Sequence, residues 1–191
     1  MFATTRNFLS DRIQAWARHR QGPDGERVRL DRRRIYILPT RQGWFFGLAV
    51  FVMLLGSMNY SNSMGFMLTF MLTGIGFVAM HACHGNLLAL EITAGGVPAV
   101  FAGQSAHFVL HLSNPGRAVR IAVSVGAAAS DVTVTGDVAA HSHGSVSVPL
   151  PTAERGWLAL DRLVVDTTYP FGLFRAWSWV YMPLRVLVYP A

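Results

Sequence analysis

Two uncharged apolar runs, joined by three small polar residues, dictate most of what this chain can become. Gly43 to Tyr60 reads GWFFGLAVFVMLLGSMNY and Met64 to Met80 reads MGFMLTFMLTGIGFVAM, with Ser61, Asn62 and Ser63 between them. At about 1.5 Å per residue the first run extends roughly 27 Å, close to the hydrocarbon thickness of a bilayer. Neither run carries the polar face that a helix in a soluble core displays to water. The pattern predicts a transmembrane hairpin over residues 42–83, with helices at about 43–60 and 64–82 and a tight polar turn. A mean hydropathy of +0.35 agrees with part of the chain lying in lipid. The first run starts about forty residues in and lacks a small-residue cleavage site, which argues against a cleaved signal peptide. Neither run contains Asp, Glu, Arg or His. Ionisable groups at depth mark proton and substrate paths, so a transporter or pump is disfavoured. Gly47, Gly56, Gly65, Gly74 and Gly76 allow close approach of the two helices.

The charge is concentrated upstream of the hairpin. All 16 basic residues are Arg, and the net charge is +6. Residues 1–41 contain ten of the arginines and four acids, so this basic arm carries the whole surplus. Arg32, Arg33, Arg34 and Arg41 precede the first run directly, while the turn between the runs has no basic residue. The positive-inside rule therefore puts the N-terminus in the cytoplasm, the turn outside, and the chain back in the cytoplasm near Cys83. Trp44 and Tyr60 stand near the two ends of the first span, where amphipathic rings favour the interface. Phe8, Leu9, Ile13 and Trp16 recur near helical spacing among arginines, a pattern for an amphipathic helix on anionic lipid. GPDGE at Gly22–Glu26 suits a charged tail instead. Because the arm abuts a membrane span, lipid is the expected partner and nucleic acid is not. The single cysteine excludes an intrachain disulfide framework.

After His84 the texture changes to alternation. Expected strands are Asn86–Thr93, Ser105–Asn114, Arg117–Val125, Val132–Gly136, Ser145–Leu150, Gly156–Thr168, Leu173–Tyr181 and Leu184–Pro190. Turns such as AGGVP and NPGR separate them. Short strands punctuated about every ten residues predict an all-β sandwich of immunoglobulin or fibronectin type III kind over residues 84–191. The segment TTYPFGLFRAWSWVY (Thr167–Tyr181) is its aromatic centre. Pro170 and Gly172 make YPFG a turn. The strand beyond it puts Leu173, Arg175, Trp177, Trp179 and Tyr181 on one face and Phe174, Ala176, Ser178 and Val180 on the other. Both faces carry apolar groups, so either can be core. Tyr169, Phe171, Phe174, Arg175, Trp177, Trp179 and Tyr181 form the candidate interaction surface.

No catalytic, cofactor-binding or metal-binding residue emerges. His81, Cys83 and His84 cluster at the end of the second run, but zinc needs about four ligands and no second Cys exists. His141 with His143, and His107 with His111, each share a strand face without further ligands. Phosphate loops and Gly-x-Ser-x-Gly elbows are absent. The six acids downstream of the spans include Glu91, Glu154 and Asp161 at strand ends, and nothing pairs them for acid–base work.

ERGWLALDRLVVDTTYPFGLFRAWSWVYMPLRVLVYP resembles domain-of-unknown-function family 58. The resemblance rests on Arg155–Gly156 ahead of a strand, the turn Tyr169–Arg175, and the closing Val188–Pro190. Upstream, Pro39, Thr40 and Gly43 match a PT..G that precedes two spans, and Asn59 and Asn62 match a turn carrying Asn. Residues 35–191 are covered. The resemblance implies a β domain on a transmembrane hairpin, followed by a von Willebrand factor A-like domain and partnered by a MoxR-type AAA+ ATPase. This sequence stops at Ala191 without that further domain, which implies either a fragment or a short member whose partner supplies the rest, so no metal ligand or catalytic residue carries over. The expected function is a non-enzymatic scaffold or adaptor in the inner (cytoplasmic) membrane. Its β domain would be offered to a MoxR-type ATPase or a von Willebrand factor A-like protein. The alternative is an accessory subunit of a cell-envelope enzyme or transport complex.

Overall fold

In the computed structural model the described residues are 25, 27–128, 130, 132–152, 155–160 and 162–190. The possible amphipathic helix around Phe8–Trp16 lies outside them. The two apolar runs form two helices, α1 (Arg41–Asn59) and α2 (Ser63–Leu87), each long and apolar enough to cross a membrane. Thr40 caps α1 by accepting the Gly43 amide on its hydroxyl. The turn between the helices is built by Asn62, whose Oδ1 accepts the amides of Met64 and Gly65 while its own amide donates to Ser57 O. The helices nearly touch there, since a Cβ on Gly65 would lie 2.3 Å from Ser57 Oγ. Hydroxyls within the runs satisfy themselves: Ser57 donates to Met53 O, Thr69 to Gly65 O and Thr73 to Thr69 O. Of the five glycines expected to serve helix packing, only Gly65 and Gly76 (3.3 Å from the Phe46 ring) have a neighbour pressing on the missing side chain.

The remainder is mostly β-sheet. The strands are β1 (Arg27–Arg29), β2 (Tyr36–Pro39), β3 (Glu91–Ala94), β4 (Val100–Phe101), β5 (Ser105–Asn114), β6 (Arg120–Ala127), β7 (Thr133–Val138), β8 (Ser142–Pro151), β9 (Gly156–Leu160), β10 (Leu163–Thr167), β11 (Phe174–Val180) and β12 (Leu184–Tyr189). They form sheets of order β1-β3-β5-β8, β2-β11-β10-β6-β7 and β4-β12-β9. Every pairing is antiparallel except β4 with β12. Alternation turns one side of each strand inward. Phe108, Leu110 and Leu112 of β5, Val123 and Val125 of β6, Leu163 and Val165 of β10, and Val186 and Val188 of β12 meet in one apolar core.

Three expectations require correction. First, residues 1–41 were expected to be an arm outside the β domain, yet β1 and β2 lie within them. Val28, Leu30 and Ile35 enter the core, and β2 pairs with β11. Arg27 forms an ion pair with Glu91 across β1 and β3, which holds the Glu91 carboxyl below its ordinary range. Second, Asn86 and Leu87 belong to α2, so the first strand after the helices begins at Glu91. Leu-rich sequence there serves a helix end because Asn86 and Leu87 continue the buried stripe Ala79, Cys83. Third, Gly156–Thr168 is two strands in different sheets, β9 paired with β12 and β10 paired with β6 and β11. The expected strand at Ser105–Asn114 has those bounds in the structure.

Gly65→Val is expected to force the helices apart at the turn and cost about 1–3 kcal/mol. Thermal unfolding of the full chain in detergent checks this, with Gly56→Val, whose Cβ meets nothing within 4 Å, as the matched control.

Candidate functional site at the joint between helices and sheet

The ends of α1 and α2 that lie beside the β domain are both fastened to it. Thr40 stands at the end of β2 and the start of α1. Its amide donates to Leu173 O (2.9 Å) and its hydroxyl to Gly172 O, with Leu173 O also within 3.2 Å. The same hydroxyl oxygen accepts the Gly43 amide at 3.1 Å. Gly43 is obligatory at this contact, because a Cβ would sit 2.0 Å from Leu173 O. Gly172 adopts φ +67, a conformation that side chains resist, and its amide closes the turn onto Thr168 O. Thus Pro39–Gly43 and Tyr169–Arg175, about 130 residues apart, form one contact. They are two of the stretches on which the resemblance rests.

α2 is held by a second set of bonds. Asn86 Nδ2 donates to Ile121 O (2.7 Å) and Thr167 Oγ1 (3.0 Å), and its Oδ1 accepts the Ile121 amide (3.0 Å). Cys83 is buried, with its sulfur 3.6 Å from Thr167 O and 3.5 Å from Phe174 O. Arg120 supplies the C-terminal cap. It is 9% exposed, and its guanidinium donates to Gly85 O, to Leu88 O (2.9 Å) and to Asn114 Oδ1 (3.3 Å). Carbonyls at a helix C-terminus carry partial negative charge, so this is a favourable place for a buried cation. Burial nonetheless pushes the guanidinium down from its ordinary pKa. A bulge in β6 between Arg120 and Val123, with Ala122 at φ +50, interrupts the alternation next to the arginine.

The seven residues of the expected interaction surface are dispersed around this joint. Ala176, Ser178 and Val180 are the buried side of β11. Trp177 and Trp179 stand on the other side, half-buried, where Tyr36 of β2 covers them at ring-centroid distances of 5.9 and 5.8 Å. Arg175 Nε binds Asp166 Oδ2 at 2.7 Å. Phe174 faces the cleft between the helices. Tyr181 is half-buried, and Tyr169 and Phe171 on the turn are exposed.

A different aromatic face lies open. In the sheet β4-β12-β9, Trp157 pairs across from Leu187 and Tyr189 pairs across from Phe101, so alternation puts Trp157, Tyr189 and Phe101 on one side. Trp157 is 71% exposed, and the Phe101 and Tyr189 rings are 5.9 Å apart. Sequence reading passed over this face because its rings come from three separate segments. It also passed over Arg120, Asn86 and Tyr36, whose partners are remote in sequence. Among the described residues no group of three His, Cys, Asp or Glu is placed to hold a metal. The HACH cluster divides, with Cys83 turned into the core while His81 is exposed and His84 half-buried.

No protein-family model matches this chain, and no curated protein matches it.

Two outcomes follow from the joint. Arg120→Met removes the guanidinium donor from the Leu88 carbonyl and from the Gly85 carbonyl, which keeps only the longer bond from the Leu88 amide, and is expected to cost about 2–3 kcal/mol, or roughly 5–10 °C in Tm. Arg120→Lys recovers only part, since an ammonium lacks the guanidinium fork. Cys83, the single cysteine, is a built-in reporter of joint opening. Gly43→Ala is expected to raise its maleimide labelling rate in the folded chain at least tenfold, and an unchanged rate would show that α1 is not wedged against the turn.

Proposed function

We propose that this chain is a non-enzymatic, membrane-anchored scaffold or adaptor. In this reading α1 and α2 cross the inner (cytoplasmic) membrane. A β domain of immunoglobulin or fibronectin type III kind then stands on the cytoplasmic side for a protein partner. The observation that carries the reading is the contrast between the two parts of the helix pair. Among the described residues, large side chains along the apolar runs such as Phe45, Phe51, Met67 and Phe70 stand more than half exposed. A continuous apolar belt of this kind needs lipid or another apolar cover. At their β-domain ends the same helices are clamped by Thr40, Asn86 and Arg120. An anchor built this way holds the sheet at a fixed attitude to the membrane.

Arg32, Arg33, Arg34 and Arg41 stand on the same side of the belt as the β domain, which supports a cytoplasmic orientation. The partner class is the one implied by the resemblance, a MoxR-type AAA+ ATPase or a von Willebrand factor A-like protein. The surface best suited to it is the aromatic face of β4-β12-β9, since exposed Trp and Tyr are the side chains that dominate interface energetics.

Resistance to alkaline carbonate extraction tests the anchor. A cysteine placed at Ser61 in a Cys83→Ser background is expected to react with an impermeant maleimide only from outside the cell, and labelling from the cytoplasm reverses the orientation. Trp157→Ser with Tyr189→Ser is expected to reduce co-purification of a MoxR-type ATPase at least tenfold, with Tm within about 2 °C of the parent, as for surface changes. Undiminished co-purification removes this face from the reading. Trp177→Ser with Trp179→Ser is a poorer probe, because loss of the stack on Tyr36 also loosens β2 from β11.

A further inference from the structure

We infer that the β-domain end of the helix pair is a binding site for one anionic phospholipid, with an acyl chain between α1 and α2 and the phosphate beside Arg32, His81 and His84. The inference rests on the membrane reading above. Two adjoining hollows carry it. The first, about 310 Å³, lies between the helices where Gly47 leaves side-chain space empty, with Gly76 and Phe77 alongside and Pro39 and Phe174 at its β-domain end. Its lining is almost wholly apolar, and a Cβ on Gly47 would meet nothing within 4 Å. The second, about 510 Å³, is lined by Arg32, His81 and His84 over a floor of Ile37 and Leu88. Met80 lines both, so the two hollows adjoin at that side chain. Each lies within the usual size range of small-molecule sites.

The order of the hollows is that of an amphiphile. The apolar one sits beside the last uncharged turns of α2, which end at Met80. The cationic one begins at the next residue, His81, where the hydrocarbon would give way to headgroups. Arg32 is exposed and has no carboxylate partner among the described residues. Its guanidinium is therefore open to the bidentate bond that suits a phosphate. His81, back-bonded through Nδ1 to Phe77 O at 3.1 Å, keeps its ring at the rim. Among the described residues no acid lines either hollow. A zwitterionic lipid brings its own cation to a site already cationic, so an anionic headgroup is favoured.

The full chain in mild detergent, titrated with phosphatidylglycerol or phosphatidylcholine and followed by native mass spectrometry, tests the site. The expected result is one phosphatidylglycerol retained at least tenfold more tightly than phosphatidylcholine. Arg32→Gln should abolish that preference, while Arg33→Gln, outside the hollows, should keep it. Gly47→Leu, which plugs the apolar hollow, should lower retention of both lipids, and Gly56→Leu, elsewhere on α1, should not. Equal binding of the two lipids by the parent chain overturns the inference, as does a preference that survives Arg32→Gln. Displacement of the lipid by millimolar glycerol phosphate or inorganic phosphate overturns it in favour of a soluble phosphate ligand. Circular dichroism confirms that each variant is folded. Carbonate extraction of the parent chain separates the two readings: an extractable chain defeats the membrane reading, and a retained chain without lipid preference defeats only this site.

Discussion

The attachment of α1 to the sheet depends on how near the first turn of the helix lies to the Tyr169–Leu173 turn. At Gly43 there is no room for even a methyl group, and Leu173 O occupies the place where Cβ would stand. Thr40 exploits this closeness by using its amide, hydroxyl hydrogen and hydroxyl oxygen at once, on Leu173, Gly172 and Gly43. One threonine therefore caps a helix, ends a strand and ties down a distant turn. The bond set also explains the short connection from β2 to α1. β2 ends at Pro39 opposite Phe174, and α1 begins at Arg41. The helix has no slack in which to swing against the sheet.

α2 is longer than a bilayer is thick. Its 25 residues rise about 37 Å, against a hydrocarbon core of about 30 Å. Its last turns are packed against the sheet. In the last turns burial changes from isolated positions to the stripe Ala79, Cys83, Asn86 and Leu87, which faces β6, β10 and β11. Asn86 and Thr167 give this apolar contact a fixed register, since each polar group there has its partner. Arg120 then ends the helix from outside. A buried guanidinium is expensive when isolated, but here three acceptors meet it, two of them at the negative end of the helix dipole.

The sequence made some of this plain and concealed the rest. The helix pair was legible because an uncharged run of this length has few other fates. Ser105–Asn114 was legible because its alternation is uninterrupted from end to end. β1 and β2 were hidden by arginines. Arg27 and Arg29 bracket Val28, and the outward pair of a three-residue edge strand reads like any basic tail. Gly156–Thr168 looked like one strand because both halves alternate, yet β9 and β10 belong to different sheets. The role of Arg120 depends on a bulge and on carbonyls more than thirty residues away, and neither leaves a local pattern. The aromatic density around Trp177 and Trp179 was visible, but Tyr36, which covers it, stands in the segment taken for an arm.

These facts together separate two uses of aromatic side chains that look alike in a sequence. Trp177 stacks on Tyr36 and Trp179 meets the same ring at a tilt, and together they help to hold β2, and through β2 the start of α1, against the sheet. Their work is internal to the joint. Trp157, Phe101 and Tyr189 are exposed among the described residues, and they stand on a sheet whose inward side chains Leu160, Val186 and Val188 are buried in the common core. Because that core also contains Cys83 and Leu87 of α2, the exposed rings are carried on the same packed unit as the helix pair. A partner engaging them in the proposed reading meets a face whose distance and tilt from the membrane are set by the Thr40 and Arg120 clamps. Loosening either clamp should therefore weaken that engagement without altering one atom of the contact surface.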